Sequence, residues 1–116
     1  IVRPWGRRVL VLTTRGRRTG LARSVLLQYF PDGPDLIVVA ANSGRPTHPA
    51  WHHNLTETPE ATVEVDGHTR TVRAVELTDA EAKQWWPKVV AIAPSYARIP
   101  ERTTRRVPFI RLVPAA

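Results

Sequence analysis

The sequence predicts a mainly β domain with helical covers, a small barrel rather than a parallel α/β sheet. Three observations carry this. Apolar runs of strand length recur along the chain with turn chemistry between them. Strands do not alternate with helices, as βαβ units would require. Only one stretch, opening at Thr78, has the caps and length of a sizeable helix. At 116 residues the chain is expected to be a single domain, residues 1–116, large enough for a modest core. It opens on a basic aromatic segment at Ile1, and a longer native N-terminal segment is expected to be missing before it.

The elements follow in order. Val9-Leu10-Val11-Leu12-Thr13-Thr14 is a β-branched and leucine run of strand length. A basic turn leads to a second strand, Ser24 to Phe30. Pro31-Asp32-Gly33-Pro34 reads as a turn, and Leu36 to Ala41 as a third strand, apolar enough to be buried on both faces. These three are expected to form a meander with the basic turn at one end. Pro49 fits the first turn of a short helix to about Thr56, with Trp51 and Leu55 on one face and Asn54 beside them. Ala61 to Val65 alternates as a half-buried strand, Asp66-Gly67 is a hairpin signal, and His68 to Val75 returns. Thr78-Asp79-Ala80-Glu81 is a capping box for a helix to about Ala93, with Pro87 as a kink or junction. Pro94 to Arg98 starts a further short turn or helix, and Val107 to Val113 is a closing strand whose Pro108 suggests an edge or a strand start. The total is about six strands and two to three helices.

Composition excludes several chemistries. There are no cysteines, hence no disulfides, thiolate metal sites or thiol nucleophile. No apolar run reaches the roughly 20 residues of a membrane span and no signal peptide is visible, so a cytoplasmic location is the expectation. The net charge is +7, and the 17 basic residues include two lysines only, Lys83 and Lys88. Partners should be acidic: an anionic cofactor, a nucleic acid or a membrane surface.

The positive charge gathers in Thr13-Thr14-Arg15-Gly16-Arg17-Arg18-Thr19-Gly20-Leu21-Ala22-Arg23-Ser24, with four arginines in nine residues. Two glycines free the backbone so that loop amides can face one anion, while guanidiniums clamp it bidentately. The loop is either a socket for a phosphate- or carboxylate-bearing ligand or a solvated basic turn. His48, His52 and His53 invite a metal, but Pro49 sets His48 apart from the helix face and no third ligand stands out, so no metal is expected. A P-loop ending, a Gly-x-Gly-x-x-Gly pattern and a Gly-x-Ser-x-Gly elbow are all absent. A redox enzyme built on this chain would need an organic cofactor.

The Thr13-to-Gly20 stretch with Arg23 resembles the signature of the deazaflavin (coenzyme F420)-dependent nitroreductase family. His48-Pro49-Ala50-Trp51-His52-His53-Asn54-Leu55 resembles that family's second block, roughly Asn/His-Pro-x-Trp-x-x-Asn-Leu. Leu77-Thr78-Asp79, Trp86-Pro87, Pro94-Ser95-Tyr96 and the closing Arg105-to-Pro108 stretch match in order and spacing. The resemblance runs from Val9 to Pro114. It implies a split β-barrel of the FMN/F420-binding type holding reduced F420 in a groove. By similarity Arg17, Arg18, Thr19, Arg23, Ser24, Val25 and Leu26 would hold the cofactor's phosphate and linker. Val39, Ala40, Ala41 and Asn42 would line the deazaflavin. Ala50, Trp51, His52, His53 and Asn54 would close over it, with Trp51 as core packing or ring contact. Tyr96 is the expected catalytic residue, donating a hydrogen bond or a proton near the ring or substrate.

The implied reaction is hydride transfer to an electron-poor organic acceptor: a quinone, an enone or a nitro compound. Where nitro-reducing members carry hydroxyl residues and extra tyrosines, this chain has Gln28, Ala41, Ala93 and Ile99, and the positions often held by lysine and proline are Asn42 and Leu26. Cofactor binding is expected to survive these departures; nitro reduction of bulky substrates is not. Two alternatives stay open: a related split barrel using FMN, and a non-catalytic basic module for anionic ligands or nucleic acid. Aromatics are few, at 7%, and fall in helices, so no nucleic-acid partner is expected. A homodimer is allowed for, since split barrels often pair, though no segment marks an interface.

Overall fold

The computed structural model describes residues 8–115; the basic aromatic opening, residues 1–7, lies outside them. The described chain is one curled antiparallel sheet with helices on its outside and at one end. Its strands are β1 (Val9–Arg15), β2 (Ala22–Gln28), β3 (Phe30–Asp32), β4 (Asp35–Val39), β5 (Glu60–Val65), β6 (His68–Glu76) and β7 (Phe109–Pro114). They neighbour one another in the order β2-β1-β5-β6-β7-β4-β3. Helix α1 (Ala50–Glu57) links β4 to β5, and α2 (Asp79–Ile92) with the short α3 (Ile99–Arg102) links β6 to β7.

Two departures from the sequence expectation share one cause. The first three strands are not a meander, and there are seven strands rather than about six. The Tyr29 amide still donates to Arg8 O at 3.0 Å, on the β1 side. One residue later the chain has changed partner, with Phe30 opposite Ile37. Pro31 and Asp32, expected in a turn, therefore belong to β3. A single extended segment thus joins one edge of the sheet to the other, which curls it into a barrel left split between β2 and β3.

The curl creates two cores. Inside lie Leu10, Leu12, Tyr29, Leu36, Val38, Val63, Val72, Ile110 and Leu112, with Trp51 and Leu55 of α1 laid against them. Outside, Phe30, Ile37, Val39, Ala41 and Phe109 are covered by Leu77, Val89, Ala93 and Ile99 from α2, α3 and their flanks. β4 feeds both, its alternate residues serving opposite faces, which is why it reads as a continuous apolar run. The hairpin expected at Asp66-Gly67 forms, with φ of 55° and 77° as a type I′ turn requires. The capping box is complete: the Glu81 amide donates to Thr78 Oγ1 at 3.2 Å and the Thr78 amide to Glu81 Oε1 at 2.8 Å. Those bonds hold the Glu81 carboxyl below the usual range. Pro87, expected as a kink or junction, lies inside an uninterrupted α2.

Candidate functional site

The basic stretch forms the β1–β2 hairpin loop, and its shape is fixed from within. The Gly16 amide donates to Leu21 O and the Gly20 amide to Gly16 O, both at 2.8 Å, and the Leu21 amide to Thr19 Oγ1 at 3.2 Å. A Cβ on Gly16 would stand 3.0 Å from Thr19 Oγ1 and 3.1 Å from Leu21 O, so a larger residue would have to push these neighbours back. Among the described residues, the amides of Arg18 and Thr19 at the tip have no internal acceptor. They remain for a ligand.

Helix α1 is bolted to this loop through Asn54, which is 4% exposed. Asn54 Nδ2 donates to Thr14 Oγ1 at 3.0 Å, and Asn54 Oδ1 accepts from the Arg17 amide at 3.1 Å. The amide side chain is thereby satisfied where it is buried. Between loop and helix opens a cleft of about 720 Å³, within the usual range for small-molecule sites. Its walls include Arg17, Arg18, Thr19 and Arg23 on one side, and Asn42, Arg45, Thr47, His48, Ala50 and Trp51 on the other. Ser24, Val25 and Asn54 also line it. Trp51 is 7% exposed and part of the inner core, as one of its two expected roles requires, and it also lines the cleft.

The remaining expected site residues lie elsewhere. Leu26 sits beyond the cleft, in a hollow with Val9, Leu10, Val11 and Glu64. Val39, Ala40 and Ala41 are buried in the two cores. His52 is turned to Glu76, with Nε2 3.1 Å from Oε1, and its buried Nδ1 has no partner among the described residues. His53 is half-buried, its pKa lowered by burial and then by Arg17, His52 and Arg18. Tyr96 stands edge-on to Phe30, with ring centroids 5.8 Å apart. It lines a separate hollow of about 530 Å³ with Ala41, Ser43 and Arg102. The hollow and the cleft share no lining residue, and the 3₁₀ turn Asn42–Gly44 contributes Ser43 to the one and Asn42 to the other.

Sequence reasoning missed one arginine altogether. Arg105 appeared only as the start of the Arg105-to-Pro108 stretch of the resemblance, yet it is half-buried and spends its donors on the backbone behind the cleft. Nη2 reaches Ala41 O at 2.7 Å and Ala40 O at 3.2 Å, Nε reaches Arg45 O at 2.8 Å, and Nη1 lies 2.8 Å from His48 Nδ1. Burial lowers its pKa below the ordinary arginine range. Arg106 instead pairs with Glu76 and, at 3.1 Å, with Asp79. His48, Thr47 and Arg45 were also absent from the expected site. Only His48, at the head of the His48-to-Leu55 block, carried a signal.

The donor set fits a phosphorylated organic cofactor. Exposed guanidiniums and two unengaged amides face one wall, where an anion would sit, and an indole with small side chains forms the other. A family model described as F420H(2)-dependent quinone reductase matches residues 1–114. The F420H(2)-dependent quinone reductase Rv1261c of Mycobacterium tuberculosis (strain ATCC 25618 / H37Rv) is 33% identical over 107 residues, 89% of this chain and 71% of its own. Rv3178 of the same organism is 31% identical over 105 residues, 90% of this chain and 88% of its own. Among solved structures, an F420-H2 dependent reductase (FDR-A) superposes with a TM-score of 0.80 at 29% identity, over 91% of this chain and 94% of that one. A structure described as a domain-swapped dimer gives 0.81 at 29% identity, over 91% and 80%. The split barrel is thus shared, and quinone reductase is the family's name where the sequence resemblance used nitroreductase. The match reaches every described residue but the last, and on it the chain belongs to the F420H(2)-dependent quinone reductase family, as an oxidoreductase using coenzyme F420.

Proposed function

We propose that this protein reduces quinones, with F420 held in the cleft between the arginine loop and α1. The observation that carries this is the single cleft that joins four cationic or hydroxyl side chains of the loop to the Trp51 wall. Arg17, Arg18, Thr19 and Arg23 would take the cofactor's phosphate and steer its glutamate tail. Ser24 and Val25 would follow the linker, while Asn42, Ala50 and Trp51 would face the ring. When bound, the reduced deazaflavin supplies the hydride. The protein's own work is to orient, to exclude water and to place charge. Tyr96 is the proposed proton donor, reaching an acceptor that extends over the Asn42–Gly44 turn. A relative named as a quinone reductase supports a quinone over an enone or nitro compound. The neighbour described as a domain-swapped dimer supports pairing of two copies, which sedimentation velocity would read.

Titration with reduced F420, followed by an oxidation screen against quinones, enones and nitroaromatics, tests the reading. Quinones should be turned over fastest. Binding of FMN with no affinity for F420 would sink it, as would tight nucleic-acid binding in its place. Arg17→Ala with Arg18→Ala should raise the F420 dissociation constant at least about tenfold, the scale of charged hydrogen bonds. An unchanged constant would remove the loop from the site.

A further inference from the structure

We propose that His48 is the hydrogen-bond donor to the quinone oxygen, its Nε2–H presented to the cleft because Arg105 occupies Nδ1. The inference rests on the cleft being the F420 and quinone site. His48 lines that cleft from the wall opposite the arginine loop. Its Nδ1 lies 2.8 Å from Arg105 Nη1. A guanidinium has no lone pair to offer, so Nδ1 must accept and must be unprotonated. The neutral ring then carries its proton on Nε2, as one fixed tautomer.

Arg105 cannot swing away and free the ring. Its other nitrogens are bonded to the carbonyls of Ala40, Ala41 and Arg45 at 2.7–3.2 Å. Protonating His48 would set two cations nose to nose, and burial with the nearby His52, Arg105 and His53 lowers its pKa below 6.5. Near pH 7 the ring is therefore neutral. Among the described residues Nε2 has no acceptor, so its proton is available to a ligand.

A single neutral donor suits a carbonyl better than a phosphate, for which the facing wall already supplies arginines. When a quinone takes a hydride, negative charge gathers on a ring oxygen, and a placed N–H is worth most at that moment. The electron balance leaves the imidazole unchanged. A hydride, carrying two electrons, would leave the reduced deazaflavin and enter the quinone, and the proton that completes the hydroquinone would arrive through Tyr96 or water. His48 keeps its own proton, as a neutral electrophile.

Two variants separate the donor from the anchor. His48→Asn puts an amide oxygen where Nδ1 stood, so Arg105 keeps an acceptor while nothing remains at Nε2. Its kcat/KM for menadione should fall about tenfold or more, the scale of one neutral hydrogen bond made in the transition state. Its F420 dissociation constant should stay within about threefold of wild type. His48→Gln restores an amide near Nε2 and should recover part of the loss. In 15N-labelled wild-type protein, long-range imidazole spectra should show the Nε2–H tautomer at pH 7. That proton should move downfield when oxidised F420 and menadione are added together, and not with oxidised F420 alone. Wild-type turnover in His48→Asn would overturn the proposal. So would a shift with F420 alone, or a loss of F420 affinity equal to the loss of kcat/KM, since either assigns the donor to the cofactor. Failure of the wild-type protein to bind F420 would instead reject the cleft assignment beneath it.

Discussion

At the scale of single residues, the site is shaped by side chains that point away from the ligand. Arg105 is the clearest case: one guanidinium gathers the ends of the 40–45 segment and a histidine ring into a fixed wall. Lysine in its place keeps the charge but loses the planar fork, so it cannot hold three carbonyls at once. Arg105→Lys should lower unfolding free energy by about 2 kcal/mol, and Arg105→Ala by more, read by denaturant titration. An equal stability in Arg105→Lys would show that the fork is dispensable. The same contact gives a pH dependence. The folded protein holds His48 below 6.5, so as pH falls through about 6.5 the unfolded chain binds the proton first and stability drops. That drop between about pH 7 and pH 5 should be smaller in His48→Asn, while His53, whose shift has the same direction, still contributes. None of this was legible in sequence. Arg105 has arginine neighbours within three residues, and nothing local says which one turns inward.

At the scale of elements, local chemistry predicted well wherever it was self-contained. The Thr78 capping box, the Asp66-Gly67 hairpin and the Pro49 helix entry each depend on three or four adjacent residues, and each formed. Elements governed by distant partners were less readable. Pro31-Asp32 carries turn residues but is recruited as β3, because β4 offers it an unpaired edge. Pro87 should interrupt a helix, yet α2 continues through it, with Val89 buried in the outer core and Trp85 and Trp86 packed against it. Two predictions belong here. Thr78→Ala removes the acceptor of the Glu81 amide and should cost about 1 kcal/mol, lowering Tm by several degrees. Gly44→Ala should cost more. Gly44 has φ of +76°, and a Cβ there would lie 2.6 Å from Arg102 Cβ, so the turn must open or α3 must shift. A thermal melt unchanged from wild type would show that the turn relaxes freely. Because this turn separates the cleft from the Tyr96 hollow, quinone turnover in Gly44→Ala should fall by more than F420 affinity does.

For the molecule as a whole, the two halves of the site come from one topological fact. β1 and β2 leave the barrel together as a hairpin, and α1 crosses back over its base, so the cationic loop and the Trp51 helix meet although they lie about 35 residues apart in sequence. The resemblance named both blocks; only the fold shows that Asn54 joins them. It also shows residues 39–41 behind the cleft rather than lining it: Val39 and Ala41 pack into the outer core and Ala40 into the inner one. The division of labour predicts how salt acts. The loop arginines are exposed, so their pull on a polyanion is screened within a Debye length of about 10 Å at 0.1 M. The barrel rests on buried apolar contacts, which salt of this strength leaves largely intact. Raising NaCl from about 50 to 500 mM should therefore weaken F420 binding about tenfold while Tm moves little. In the Arg17→Ala, Arg18→Ala variant the salt slope should flatten, because fewer cations remain to be screened. An unchanged slope would place the anion's partners elsewhere on this basic surface. A Tm that fell in step with affinity would mean that the loop's charge holds the fold as well as the ligand.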